Sequence, residues 1–159
     1  MKKLILIRHA KSSWEFNVQD IERPLSNRGK SDAKLMSIIL KDLNIEVDHI
    51  YSSNSKRTLQ TSQIFVKNLE LQNVPTNENE RLYDFSGEKV ESFIRAIPSN
   101  LNTVIIFTHN NTCTNLLEKF AGLNKHVPTC GILIFDFDVS LWDEIESGKC
   151  DFYFPKQFK

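Results

Sequence analysis

Short apolar segments alternate with amphipathic stretches along this chain, and this alternation limits the available folds more than any other feature. The segment 2–7 ends in the apolar run Leu4 to Ile7, which is typical of a strand buried on both faces. The last predicted strand, 151–154, is followed by Pro155 and is expected at a sheet edge. The remaining predicted strands cover 47–52, 103–108 and 132–138.

Helical periodicity occupies the intervals between these strands. After the candidate N-cap Ser26, apolar residues recur at three- and four-residue spacing up to Leu43, which predicts one long helix. The segment 72–80 is predicted to be a loop or an edge strand. Further helices are predicted from about Ser55 to Leu69, between Gly87 and Pro98, and from Cys113 to Ala121 with Gly122 as the C-cap.

Strands that alternate with helices favour an α/β fold in which helices cover both faces of the sheet. The predicted architecture is therefore a three-layer α/β/α sandwich with a mostly parallel central sheet. At 159 residues, with 40% hydrophobic residues, the chain fits a single domain over 1–159.

Composition excludes several classes of function. Twenty basic residues balance twenty acidic ones, so the charge does not predict binding to nucleic acid or to an anionic membrane. No apolar run is long enough for a membrane span, and the N-terminus does not resemble a signal peptide. Three scattered cysteines support neither a disulfide framework nor a zinc site. We therefore expect a cytoplasmic protein.

Charged and polar residues follow the predicted strands where those strands end. Arg8 and His9 follow the first strand, Ser53 the second and His109 the strand 103–108, while Arg57 opens the next helix. Because ligands bind at the carboxyl ends of such strands, these residues are expected to converge on one crevice. Two arginines, two histidines and nearby helix N-termini are suited to binding a phosphate dianion.

This set of residues predicts phosphoryl transfer through a histidine. A neutral imidazole is a competent nucleophile near pH 7, so His9 is expected to form a phosphohistidine that water then hydrolyses. A protonated His109 and the two arginines would bind the phosphoryl oxygens, which makes a metal unnecessary. Glu80 is the preferred proton donor to the leaving group, and Asp84 is the alternative.

The ordered motifs of the chain resemble the histidine phosphatase superfamily, which is phosphoglycerate mutase-like in fold, and in particular its SixA-type phosphohistidine phosphatase branch. The defining Arg-His-Gly of that superfamily corresponds here to Arg8-His9-Ala10, followed by Lys11-Ser12. The further matching motifs are Arg23-Pro24-Leu25-Ser26, Arg28-Gly29, Ser52-Ser53 with Arg57 and Gln60-Thr61, Glu80-Arg81-Leu82-Tyr83, Thr108-His109-Asn110 and Pro128-Thr129.

The resemblance implies roles for individual residues. His9 is the implied nucleophile, Glu80 falls where many members keep a proton donor, and no cofactor is implied. The rest of the phosphate pocket is implied to be Arg8, Arg57 and His109.

Three further positions in or near the matching segments carry weaker predictions: Ser12, Arg23 and Glu15. Ser12 and Arg23 are predicted substrate contacts, with an ion pair to a nearby carboxylate as the alternative for Arg23. Glu15 stands where many members place a phosphate-binding Asn, and we expect its side chain to point away from the pocket because a carboxylate would repel phosphate.

The substrate is predicted from the size of the pocket. Only 28 residues separate Glu80 from His109, so the long insertions that cover the pocket in members acting on sugar phosphates or phytate are missing. An open pocket would admit a phosphohistidine side chain on a signalling or transfer protein. The imidazole of phosphohistidine leaves the phosphorus atom more readily than the alkoxide of an alkyl phosphate does. Inorganic phosphate would be the product.

Three alternatives stay open. The chain could hydrolyse small phosphoesters, act as a mutase, or bind phosphate without turnover. The open rim disfavours the mutase, and the intact set of pocket residues disfavours the non-catalytic module. His49 and His126 are expected to be structural or solvent-exposed.

Overall fold

The computed structural model describes residues 1–159, and one six-stranded sheet organises it. The strands are β1 Lys2–Arg8, β2 His49–Ser52, β3 Thr76–Glu78, β4 Thr103–Thr108, β5 Ile132–Phe137 and β6 Lys149–Tyr153. The helices are α1 Asn27–Lys41, α2 Lys56–Asn68, α3 Glu88–Arg95 and α4 Thr112–Ala121. Short 3-10 turns cover Asp20–Glu22, Glu80–Leu82, Trp142–Glu144 and Pro155–Phe158.

The strand order is β3-β2-β4-β1-β5-β6. β1, β4, β2 and β3 pair in parallel, whereas β5 is antiparallel to both of its neighbours, β1 and β6. The mostly parallel sheet predicted from the sequence is therefore confirmed, with β5 as the reversed strand. β3 and β6 form the two edges, as expected for 72–80 and for the last strand.

Both faces of the sheet are covered by helices. Alternate residues of β1 separate into two cores: Leu4 and Leu6 pack with α3 and α4, whereas Ile5 and Ile7 pack with α1 and α2. All four side chains are fully buried, which explains why the sequence of this strand is continuously apolar. The predicted three-layer sandwich is confirmed.

Most predicted boundaries agree with the structure to within two residues. Ser26 Oγ accepts a hydrogen bond from the Gly29 amide at the start of α1, and Gly122 ends α4 with a φ of 68°. Leu43 lies beyond α1, which ends at Lys41, so the predicted helix was too long there. β2 begins at His49 rather than at Val47. No helix has the length and apolar character needed to cross a membrane.

The register of the central strands positions the functional residues. Arg8 on β1 pairs with Thr108 on β4, and Ser52 on β2 pairs with Phe107, so the three strands end at nearly the same level. The next residue of each strand, His9, Ser53 or His109, therefore reaches the same edge of the sheet.

A long loop between β1 and α1 closes one side of this edge. Its two arms meet in a short antiparallel bridge between Ser12 and Leu25, and the Ser13 amide donates to the Pro24 carbonyl at 2.8 Å. Gly29 in α1 lies so close to this neck that a Cβ atom would come within 2.0 Å of the Lys11 carbonyl oxygen. The neck is therefore packed tightly against α1, while Asp20, farther along the loop, contacts Arg57 at the start of α2.

Candidate active site

The two predicted histidines meet at the carboxyl edge of the sheet. The ring centroids of His9 and His109 are 5.3 Å apart, and the guanidinium of Arg57 contacts both rings. Residues separated by 100 positions in the sequence are thus brought together, as the strand-end argument predicts.

His9 is held as a neutral base. Because an arginine can only donate, the Nε atom of Arg57 donates to His9 Nε2 at 3.3 Å, which assigns the ring proton to Nδ1. Nδ1–H then donates to the carbonyl of Ala10 at 2.6 Å. The pKa of His9 is lowered to about 3, mainly by burial and in smaller part by the nearby arginines, while the hydrogen bond to Ala10 acts in the opposite direction. A lone pair on Nε2 is what a nucleophilic imidazole requires.

His109 is held in the opposite tautomer. Arg57 Nη2 donates to His109 Nδ1 at 3.4 Å, so the ring proton lies on Nε2, 2.9 Å from the hydroxyl of Ser53. The ring is fully buried beside Tyr83 and Phe85. The pKa of His109 is lowered to about 2, mainly by burial and in smaller part by the neighbouring His9 and Arg57. The protonated His109 expected from the sequence therefore requires a bound anion.

The two predicted arginines are anchored in different ways. Arg57 is the second residue of α2 and only 2% exposed, and it also donates to Asp20 through Nη1 and Nη2. Arg8 donates through Nη1 to the carbonyl of Val127 at 2.9 Å, and its buried Nε has no partner. Arg8 thus retains a buried donor that no acceptor satisfies.

Ser12 and Arg23 are buried together on the neck of the β1–α1 loop. Arg23 Nη1 donates to Ser12 Oγ, and Arg23 Nη2 forms a 2.9 Å ion pair with Asp20. The guanidinium also lies 3.8 Å from the ring centroid of Trp14, a cation–π contact. The structural ion pair, one of the two alternatives for Arg23, is present.

The two carboxylates proposed as proton donors lie in different surroundings. Glu80 is exposed on its 3-10 turn, and its side chain makes no hydrogen bond with the pocket residues. Asp84 is buried, and its carboxylate accepts amide hydrogens from Ser86, Gly87, Lys89 and Val90. Burial raises the pKa of Asp84, but these hydrogen bonds outweigh it and lower the pKa. Asp84 therefore caps α3 and is unsuited to donate a proton.

Three residues of the site were given no individual role: Asp20, Tyr83, and Ser53, which was placed in the crevice only by its position after a strand. The Tyr83 hydroxyl donates to the carboxylate of Asp20, which also pairs with Arg23 and Arg57. An acidic residue three positions before Arg23 was a signal for one of these contacts. Glu15 is exposed, as expected for a carboxylate kept out of the pocket.

A neutral histidine base among arginines, at the carboxyl edge of a mostly parallel sheet, is chemically suited to phosphoryl transfer. The model of the family "Histidine phosphatase superfamily (branch 1)" matches residues 4–91, more than half of the chain. The chain therefore belongs to this superfamily, which confirms the resemblance found in its motifs.

Individual relatives agree with this assignment. Phosphoglycerate mutase 1 of Saccharomyces cerevisiae is 31% identical over 112 residues, a match that covers 65% of this chain but only 45% of the yeast protein. The protein histidine phosphatase SixA, solved in complex with tungstate, has the same fold at a TM-score of 0.84 and 19% identity, with 99% of both chains covered. A SixA protein of Agrobacterium tumefaciens matches at a TM-score of 0.81 and 24% identity, over 96% of this chain and 97% of that one.

Proposed function

We propose that this chain is a metal-independent phosphatase that uses His9 as its nucleophile. The observation that carries the proposal is the tautomer of His9. Its Nδ1 proton is engaged by the Ala10 carbonyl, so the Nε2 lone pair faces the arginine-lined pocket. The low pKa of His9 keeps that lone pair available over the physiological pH range.

The reaction follows from this geometry in two steps. His9 Nε2 attacks the phosphorus atom, the bond to the leaving group breaks, and the leaving group departs with the electron pair. Water then attacks the phosphohistidine, which breaks the P–N bond and releases inorganic phosphate. Arg8, Arg57 and His109 would stabilise the equatorial oxygens, and the low pKa of free His109 would rise beside the dianion.

We propose phosphohistidine on another protein as the substrate. Neither candidate proton donor is hydrogen-bonded to the pocket histidines or arginines: Asp84 caps a helix, and Glu80 is exposed. A substrate whose leaving group needs little help from an acid fits this pocket better than an alkyl ester.

The rim of the pocket supports a protein-sized substrate. Large apolar side chains are exposed on the segments that border it: Trp14, Phe16, Val18 and Phe85. Trp14 is 79% exposed although it stacks on Arg23. Exposed apolar side chains that surround a polar pocket are typical of a surface that contacts another protein.

The three cysteines are free thiols, which supports a cytoplasmic location.

The first experiment measures phosphate release without added metal from three substrates: a phosphohistidine-bearing transfer domain, para-nitrophenyl phosphate and an alkyl phosphate. Wild type is compared with His9→Ala and with His126→Ala, an exposed control. Rapid release from the transfer domain that His9→Ala alone abolishes would support the proposal. Activity on the small esters alone would favour the phosphomonoesterase, and no activity on any substrate would favour the non-catalytic module.

A further inference from the structure

Asp20 is the carboxylate that pairs with the pocket arginines. It accepts hydrogen bonds from Arg23 Nη2 and Arg57 Nη2, each at 2.9 Å, and from the Tyr83 hydroxyl. Its main-chain carbonyl accepts a fourth, from Arg57 Nη1 at 2.6 Å. Burial raises the pKa of Asp20, but the side-chain hydrogen bonds outweigh it and lower the pKa well below its usual range. The group is therefore an anion at every physiological pH.

These contacts occupy the donors that a phosphoryl group would need. All three guanidinium nitrogens of Arg57 are engaged: Nε by His9, Nη1 by the Asp20 carbonyl, and Nη2 by the Asp20 carboxylate and His109. Bidentate binding of phosphate by an arginine requires two of these donors to be free. One of the present acceptors must therefore move when an anion binds.

Of these acceptors, Asp20 is the one that can move. The imidazoles are buried, and their other nitrogens are fixed by the Ala10 carbonyl and the Ser53 hydroxyl. The Asp20 side chain is 46% exposed, and no residue of its 3-10 turn is buried. That turn extends beyond the neck of the β1–α1 loop, so it can shift without disturbing the packing against α1.

The negative charge of Asp20 balances the positive charges of the pocket arginines. Three arginines lie close together in the pocket, and their mutual repulsion without a counter-ion would oppose folding. A carboxylate that pairs with two of them relieves this repulsion in the free protein. The same negative charge would repel a phosphate dianion that occupied neighbouring donors.

We propose that Asp20 is a built-in competitor for the phosphate site: its carboxylate occupies Arg57 and Arg23 in the free protein, and the phosphoryl group of the substrate displaces it. The inference rests on the proposed function only in taking these arginines as the phosphate site. Asp20 thus stabilises the empty pocket and lowers its affinity for anions.

Asp20→Asn tests this directly, because it keeps the shape of the side chain and removes its charge. We expect inorganic phosphate and tungstate to bind about tenfold more tightly to the variant by calorimetry, a change of about 1.4 kcal/mol. The melting temperature without anion should fall, and saturating anion should bring it back towards that of the wild type. Glu22→Gln, in the same turn and without an ion pair, is the charge-matched control and should change neither quantity.

A second variant covers the case in which Asp20→Asn does not fold. Tyr83→Phe removes one hydrogen bond from the carboxylate but leaves every charge in place, so we expect about twofold tighter phosphate binding. In a crystal structure with tungstate, the 2.9 Å contact between Asp20 and Arg57 should be broken. Tungstate bound with that contact intact would overturn the inference.

The outcomes also separate this inference from the proposed function. If the wild type hydrolyses phosphohistidine but Asp20→Asn binds phosphate equally or more weakly, Asp20 only positions the arginines and the competitor role is wrong. If no variant binds either anion and the wild type is inactive, both the phosphate site and the competitor role are overturned.

Discussion

The turn after β1 and the turn after β4 each present a buried histidine to the same guanidinium, but they hold it in different ways. His9 donates its Nδ1 proton to the carbonyl of the next residue, Ala10, and turns Nε2 towards Arg57. His109 donates its Nε2 proton to Ser53, a residue 56 positions away, and turns Nδ1 towards Arg57. The two rings are therefore opposite tautomers with their lone pairs directed at one arginine.

The difference shows how the two proposed roles depend on different levels of structure. A main-chain carbonyl in the same turn orients the proposed nucleophile, so its tautomer survives as long as that turn folds. A side chain from the β2–α2 loop accepts the proton of the second histidine, so the orientation of that ring depends on the packing of β2 beside β4. The following predictions test this contrast, from the largest expected effect to the smallest.

His9→Ala should lower phosphate release by about 10⁴-fold or more, because it removes the nucleophile. Rapid-quench trapping of a phosphoenzyme with a ³²P-labelled substrate is the measurement, and no labelled protein should form. The circular dichroism spectrum should stay that of the wild type. A labelled His9→Ala protein would assign the nucleophile to another residue.

His109→Ala should lower the rate by about 10²–10³-fold, the usual cost of one lost group that stabilises the transition state. The phosphoenzyme should still form, but slowly, in single-turnover experiments. Equal losses in the His9 and His109 variants, with no phosphoenzyme in either, would remove the distinction between nucleophile and stabilising group.

Lowering the pH should destabilise the free protein through both histidines. The unfolded chain takes up protons near the normal histidine pKa of 6.5, whereas the folded pocket does so only near 3 for His9 and near 2 for His109. Stability is therefore complete above pH 6.5 and falls as the pH drops below it, by up to about 1.4 kcal/mol per pH unit for each histidine. Urea unfolding between pH 7 and 5 measures this slope.

Matched variants assign the slope to the pocket. In His109→Gln, the slope of the unfolding free energy against pH should be smaller by the contribution of one histidine. The control variant His126→Gln, which changes an exposed residue, should keep the slope of the wild type. Identical slopes in all three proteins would contradict the low pKa of His109.

Ser53→Ala should have the smallest effect, about fivefold in rate, which corresponds to one hydrogen bond of about 1 kcal/mol. The variant leaves the Nε2 proton of His109 without its partner, so the ring is held in place by burial and by the Arg57 contact to Nδ1 alone. Ser52→Ala is the matched control, because Ser52 is equally buried and its hydroxyl donates to the Ser53 carbonyl instead of His109. A wild-type rate for Ser53→Ala would show that burial and Arg57 orient His109 without Ser53.

Much of the site was predictable because its parts carry local signals. His9 and His109 each follow a strand whose apolar pattern marks it as buried, and Arg57 opens a helix whose N-cap, Ser55, is visible in the sequence. Asp20 was missed for a physical reason. Its partner Arg23 lies three residues away, but Arg57 and Tyr83 lie 37 and 63 residues away, and no periodicity links such positions.

The sequence by itself determined the layers, the buried central strands, the helix caps and the residues at the strand ends, because each follows from short-range pattern and propensity. Only the tertiary structure decided which atoms face each other: the opposite tautomers of the two histidines, the Asp20 carboxylate on Arg57 and Arg23, and the use of Asp84 as a helix cap. Hydrogen-bond partners at 3 Å depend on strand register and loop path, and these are settled by packing across the whole chain.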